Sequence, residues 1–226
     1  MRRLVIKSTR SIRQKIYDHL REQILNGEIP SHQHLIETKI AEEIGASRTP
    51  VREALHSLEL EGLIESIPRV GYVVKPISEA EVVEICEIRR VVEELATHWA
   101  IEKAHDKLIQ ELKKNIAITE EKVSSGELRT FVDMDAQFHE TITKLSGSNR
   151  LLELAQTLRR HMLRYRIQSI YSTDNVLRAI DGHKGILRAI EQTDFDEINR
   201  AIKAHLEQVK KDVLRYAFQE GPKLKE

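Results

Sequence analysis

The sequence predicts a mainly α-helical protein in two parts: a winged helix-turn-helix of three helices and a β-hairpin over residues 1–75, then an all-α bundle of about six helices over 78–226. Three observations lead there. Aromatic residues make up only 4% and charged residues 32% of the 226, with nine glycines and five prolines, a composition suited to helices with wet outer faces. As far as Pro76, turn signals and β-branched runs alternate with short helical stripes. Beyond it, from "ISEAEVVEICEIRR" to about Phe218, the apolar period of three to four residues is almost unbroken.

Each element follows from its residues. Ile12, Ile16, Leu20 and Ile24 mark one face of a first helix, stopped by Asn26-Gly27. Ile36, Ile40, Ala41 and Ile44 mark a short second helix, stopped by Gly45. In "ASRTPVREALHSLELEGLI", Ser47 or Thr49 can cap a third helix, with Pro50 in the first turn where a missing N–H costs little. Val51, Leu55 and Leu58 give its core face, and Gly62 ends it. "LIESIPRVGYVV" sets β-branched residues on both sides of Pro68 to Gly71, a two-stranded hairpin. In the second part only "SSG" (124–126), "SGSN" (146–149), "STDN" (172–175) and "QTD" (192–194) interrupt the helices.

Composition narrows the classes of function. No apolar run reaches the roughly eighteen residues of a membrane span, and the basic start is followed by no signal-peptide core, so the expected location is the cytoplasm. The single cysteine, Cys86, reads as a small core residue. Net charge is zero, but residues 1–30 hold seven Lys/Arg against three acids, which makes the N-terminal end the basic one.

In a winged helix-turn-helix the third helix enters the DNA major groove with its first residues at the bases, and the wing reaches the adjacent backbone or minor groove. Arg48, Arg52 and His56 fall four apart on one flank of that helix. Their guanidiniums can read guanine O6/N7 or clamp phosphates. Spacing alone allows equally that they are solvated charges. The segments "IYDHLREQILNGEI", "IAEEIGASRTPVREALHSLELEGLI" and "RVGYVV" resemble the N-terminal domain of the GntR family of bacterial transcription regulators, over nearly all of residues 11–74. The resemblance implies DNA contact from Ser47, Arg48, Thr49 and Arg52, and from Arg69 and Gly71 at the wing. Thr38 stands where some members carry an arginine, which implies one fewer contact to base or phosphate.

The bundle holds a different anomaly. Phe131, Phe138, Ile142 and Leu145 recur at helical spacing, yet Asp135 occupies the same stripe and His139 follows one turn later. His183 interrupts the stripe of Val176, Ile180, Leu187 and Ile190, and His205 that of Ile198, Ile202 and Val209. Three helices thus turn one carboxylate and three imidazoles inward, where an uncompensated buried charge costs several kcal/mol. A shared divalent transition metal, Zn²⁺, Ni²⁺, Mn²⁺ or Fe²⁺, removes that cost. The competing reading is an Asp135–His hydrogen-bonded pair with a spare buried histidine. The remaining histidines read as surface or packing residues.

Residues 78–220 resemble the FadR C-terminal domain (FCD) of one GntR subfamily. Its metal-binding members carry an acid and a histidine four apart and two later histidines, the pattern of Asp135, His139, His183 and His205. Arg89 falls in the stripe of Ile85, Val92, Ala96 and Trp99, so its guanidinium points inward. A buried salt bridge to a glutamate and an anionic ligand are both open from spacing. The resemblance puts Arg89 beside an effector cavity and implies a small carboxylate, with Asn149, Arg159 and Arg164 as weaker candidates for the same cavity.

The function expected is a DNA-binding transcriptional regulator, a repressor, controlled by a small organic acid beside the metal and released from double-stranded operator DNA when the acid binds. A two-fold homodimer through the helical domain would place two recognition helices on half-sites one helical turn apart. Two alternatives are a regulator for which the metal alone is the signal, and a metalloenzyme using open metal positions to activate water.

Overall fold

The computed structural model describes residues 11–25, 27–76, 78–170 and 172–219, without the side chains of 164–170 and 219. The basic residues Arg2, Arg3, Lys7 and Arg10, and Asn26 of the expected helix stop, lie outside the described residues. The chain divides into two compact units, Met1–Pro76 and Ile77–Glu226.

In the first unit α1 spans Ile12–Leu25, α2 Glu37–Ile44 and α3 Arg48–Leu60. The buried face of α1 is Ile16, Leu20 and Leu25, while Ile12 is 62% exposed, so the contact face ends one residue beyond the expected stripe and leaves its first residue in water. Gly45 takes the left-handed conformation that closes α2, its N–H donating to the last-turn carbonyls. Val51, Ala54, Leu55 and Leu58 bury the inner face of α3 completely. Ser47 occupies the N-cap position with extended backbone, but its hydroxyl makes no capping hydrogen bond. Tyr17 Oη and Arg21 Nε donate to the buried Glu61 carboxylate at 2.8 and 2.9 Å, tying α1 to the end of α3.

The hairpin is present and larger than the sequence implied. Strands β2 (Ile64–Ile67) and β3 (Gly71–Val74) are antiparallel, with Glu65 opposite Val73, and a two-residue strand β1 (His34–Leu35) adds to the far side of β3. Gly71 has φ +124°, and a Cβ there would stand 2.8 Å from Leu35 O. The neighbouring strand therefore requires glycine at that position.

The second unit is helical throughout its described residues. α4 runs Glu79–Ser124, α5 Phe131–Leu145, α6 Asn149–Ile170, α7 Thr173–Gln192 and α8 Phe195–Leu214, followed by a short π turn. Ser78 caps α4 by accepting from the Glu81 N–H, and Asp194 caps α8 by accepting from the N–H groups of Asp196 and Glu197. Helical geometry breaks at Ala104 (φ −155°, ψ 39°), so α4 is two segments and the five continuous helices make six straight ones. The inward residues Cys86, Ala96, Leu108 and Leu112 of α4 share one core with Phe138, Ile186, Ile190, Ile202 and Val213 of the other helices. Burying each large apolar side chain contributes about 1.5–3 kcal/mol. Among the described residues no helix is long and apolar enough to cross a membrane.

Candidate functional site

The helical stripes that carry polar residues converge. α5 supplies Asp135 and His139, α7 supplies His183 and α8 supplies His205, each at most 4% exposed. One ligand atom from each lies within 4.8 Å of all the others. Asp135 Oδ1 is 3.5 Å from His183 Nε2 and 3.8 Å from His139 Nε2. Four ligands about 2.0–2.2 Å from one ion stand roughly 3.4 Å apart, so a small inward movement would complete a shell.

The chemistry of the donor set fits a metal. Nε2 of His139 and Nε2 of His205 are buried without a hydrogen-bond partner, a costly state for an imidazole nitrogen unless an ion takes the lone pair. His139 Nδ1 lies 2.9 Å from Glu93 Oε2, close but not aligned as a hydrogen bond, and Nε2 is on the side of Asp135. Burial, ahead of the nearby His183 and His139, pushes His205 well below the ordinary imidazole range and keeps it neutral. The rings are held by packing. Phe138 stacks on His183 with centroids 3.9 Å apart and planes 8° apart. Gly182 gives His205 its room: a Cβ there would press on Nδ1 and lie 3.1 Å from Cγ.

Sequence reasoning missed Glu93 and Gly182. Glu93 was visible only as the residue four beyond Arg89, and Gly182 as a mid-helix glycine beside a candidate ligand. Arg89 does point inward, as its stripe requires, and is 1% exposed. Its Nη2 lies 2.8 Å from Glu93 Oε1 and its Nε donates to the same oxygen at 2.9 Å. Burial raises the Glu93 carboxyl, but Arg89, with His139 behind it, more than offsets this and holds it below the ordinary carboxylate range. Of the two readings open from sequence, the buried salt bridge is present. Nη1 of Arg89 still has no hydrogen-bond partner.

Beside the cluster is a cavity of about 360 Å³ whose walls include Arg89, Asp135, Gln156, Arg159 and Met162. Arg159 donates to the Ala136 carbonyl and lies 3.5 Å from Glu140, while its Nε is buried without a hydrogen bond. Burial and then the charge of Arg89 lower its pKa. Asn149 is exposed at the first residue of α6 and does not line this cavity. The Arg164 side chain lies outside the described residues.

In the first unit Ser47, Arg48, Thr49 and Arg52 are exposed together at the start of α3. Arg69 is exposed in the turn between β2 and β3, with φ +68°, and Thr38 is exposed on α2. Arg52 is not loose: its Nε and Nη2 donate to the Glu37 carboxylate at 3.0 and 2.9 Å.

Comparison with known proteins fits both halves. Residues 12–74 match the family of bacterial regulatory proteins called gntR, and residues 84–208, more than half of the chain, match the FCD domain. The chain belongs to the GntR family. It is a DNA-binding transcriptional regulator. Similar GntR regulators include the transcriptional repressor RspR of Escherichia coli, 26% identical over 92% of this chain and 91% of that protein. The gluconate operon transcriptional repressor of Bacillus licheniformis is 29% identical over 84% and 80% of the two chains. These relatives are regulators, not enzymes, so the metalloenzyme alternative falls. In fold the chain is similar to E. coli McbR/YncC, with TM-score 0.70, 21% identity, and coverage of 92% of this chain and 99% of that one. It is also similar to Lar, which controls expression of the Listeria monocytogenes agr system, with TM-score 0.69, 19% identity and the same coverage.

Proposed function

We propose that this GntR regulator is a repressor whose first unit reads operator DNA and whose helical unit senses a small organic acid bound beside a divalent transition metal. The metal would be held by Asp135, His139, His183 and His205. When bound it supplies open coordination positions for a ligand oxygen. The observation that carries the reading is the convergence of these four buried groups on one another, with Asp135 also lining a cavity walled by Arg89, Arg159 and Arg160. Zn²⁺, Ni²⁺, Mn²⁺ and Fe²⁺ all suit such a donor set. Operator DNA as partner sets the site of action in the cytoplasm.

Charge favours an anionic ligand. Arg89 and Arg159 against Glu93, Asp135 and Glu140 sum to −1, so a divalent ion leaves this group at +1 beside Arg159, whose Nε lacks a hydrogen bond. At the roughly 30 Å³ that one water occupies in the liquid, the cavity admits on the order of a dozen heavy atoms, the size of a small mono- or dicarboxylate. The dimer expected from operator symmetry has apolar surface available in Ile88, Val91 and Leu95, exposed on one face of α4. Effector binding alters operator affinity only as far as it favours one state of that dimer over the other, and release from DNA is the expected direction.

A melting series on chelator-treated protein tests the reading. Zn²⁺ or Ni²⁺ is expected to raise the melting temperature by several degrees, and citrate or acetate to raise it further only when metal is present. Absence of any metal response, with no metal found by elemental analysis of the native protein, would sink the proposal. Arg159→Leu is expected to keep the metal response and lose the carboxylate response. A full carboxylate response in that variant would remove Arg159 from the effector site.

Gly182→Ala tests the room that Gly182 leaves for the His205 ring. Alanine favours a helix by about 1 kcal/mol over glycine, but here its methyl group would push the His205 ring away. Overpacking of the buried ring costs about 1–3 kcal/mol against that gain, so the expected result is a chelator-treated protein up to about 2 kcal/mol less stable than its parent and a metal affinity roughly 10–100-fold weaker, read by competition with a metal indicator. Unaltered metal affinity would refute this role for Gly182.

A further inference from the structure

The arginines at the start of the recognition helix are gripped from one side. Glu37, the first residue of α2, accepts from Arg52 Nε at 3.0 Å (Oε1) and from Arg52 Nη2 at 2.9 Å (Oε2), a bidentate pair along one edge of the guanidinium. Arg48 Nη2 reaches the same Oε2 at 3.5 Å. The Arg52 side chain is 60% exposed, that of Glu37 only 17%, so the acid is the fixed partner and the arginine the presented one. The hydrogen bond from Arg52 is the foremost cause holding Glu37 below the ordinary carboxylate range, so it is ionised in any neutral buffer.

A guanidinium has two donor edges, each able to make a fork of two parallel bonds. With the Nε–Nη2 edge taken, Nη1 and the second hydrogen of Nη2 form the other fork, for which the described residues offer no hydrogen-bond partner. That spacing matches O6 and N7 of guanine in the major groove. It matches phosphate oxygens as well, but a phosphate approaching Arg52 also approaches the Glu37 carboxylate and is repelled, whereas a neutral base edge is not.

From this geometry we infer that Glu37 is a specificity-determining positioning residue: it orients Arg52 with one fork towards a base edge and weakens the attraction of the recognition helix for bare phosphate. The inference rests on the reading that Arg52 meets operator bases. It assigns to an acidic residue on α2, outside the recognition helix, part of the discrimination between operator and other DNA.

The test uses the full-length, metal-loaded protein and a duplex that the parent enriches from a random pool, compared with a scrambled duplex of equal length over a range of salt. Glu37→Gln is expected to bind the scrambled duplex several-fold more tightly, with a steeper salt dependence, and to lose roughly tenfold or more of the discrimination between the two. Glu37→Asp keeps the negative charge at the α2 N-terminus but withdraws the carboxylate by one methylene, and is expected to share the loss. Melting curves matching the parent would establish that both variants fold. Parent-like discrimination in either variant overturns the inference, and in Glu37→Asp alone it would assign the effect to helix charge. Failure of the underlying reading is separate: it would show as Arg52→Ala retaining full discrimination, or as no duplex being enriched by the parent.

Discussion

Asp135→Asn is expected to weaken Zn²⁺ or Ni²⁺ binding roughly a hundred- to a thousandfold and to reduce the metal stabilisation accordingly, while leaving the chelator-treated protein melting within a few degrees of its parent. The asparagine is nearly isosteric, so the packing around α5 persists, but the anionic ligand is gone. Binding of a structural metal by four ligands contributes about 10–16 kcal/mol, so one ligand accounts for roughly 2.5–4 kcal/mol, or on the order of a hundred- to a thousandfold in affinity. His183→Ala should lose at least as much, and in addition removes the ring stacked on Phe138. Its metal-free form is therefore expected to be less stable than that of Asp135→Asn. Titration against a calibrated chelator, with melting in parallel, reads both quantities. A variant that binds metal as tightly as the parent would remove that residue from the ligand set.

Arg52→Ala carries the second large effect. One bidentate base contact contributes about 1–3 kcal/mol of discrimination, and a dimer makes it twice, so operator affinity is expected to fall by about 2–6 kcal/mol, roughly 30-fold to 25,000-fold. Non-specific affinity should change far less, because Arg52 already shares its charge with Glu37. Arg69→Ala, at the wing, is expected to weaken all sequences about equally. Competition binding at fixed salt distinguishes the two patterns, and equal loss on every duplex for Arg52→Ala would reassign it to phosphate.

The fold was legible where the signal is local. Gly45 closes α2 and Gly62 follows the end of α3 as the sequence implied, and the inward faces of α5, α7 and α8 followed from a 3.6-residue period that Asp135, His139, His183 and His205 share with their apolar neighbours. What was not legible depends on partners distant in sequence. β1 is two residues long, too short for any period, and exists because β3 offers it an edge. The break at Ala104 has no glycine or proline to announce it. Periodicity showed that Arg89 points inward but could not choose between glutamate and ligand, because that choice depends on which helices meet. The grip of Glu37 on Arg52 crosses fifteen positions and two helices, and nothing in the spacing of either residue signals it.

Arg89, Glu93 and His139 form a single file of charge through the interior, with one carboxylate answering both a guanidinium and an imidazole. Its first two members do not drift one at a time. Replacing Glu93 strands a buried guanidinium and replacing Arg89 strands a buried carboxylate, each at several kcal/mol, whereas loss of His139 leaves the Arg89–Glu93 pair in place. Arg89 and Glu93 should therefore be strongly epistatic, inherited or lost together in descendants of this sequence, and grafting the four metal ligands onto another bundle without that pair would leave His139 with no carboxylate beside its Nδ1.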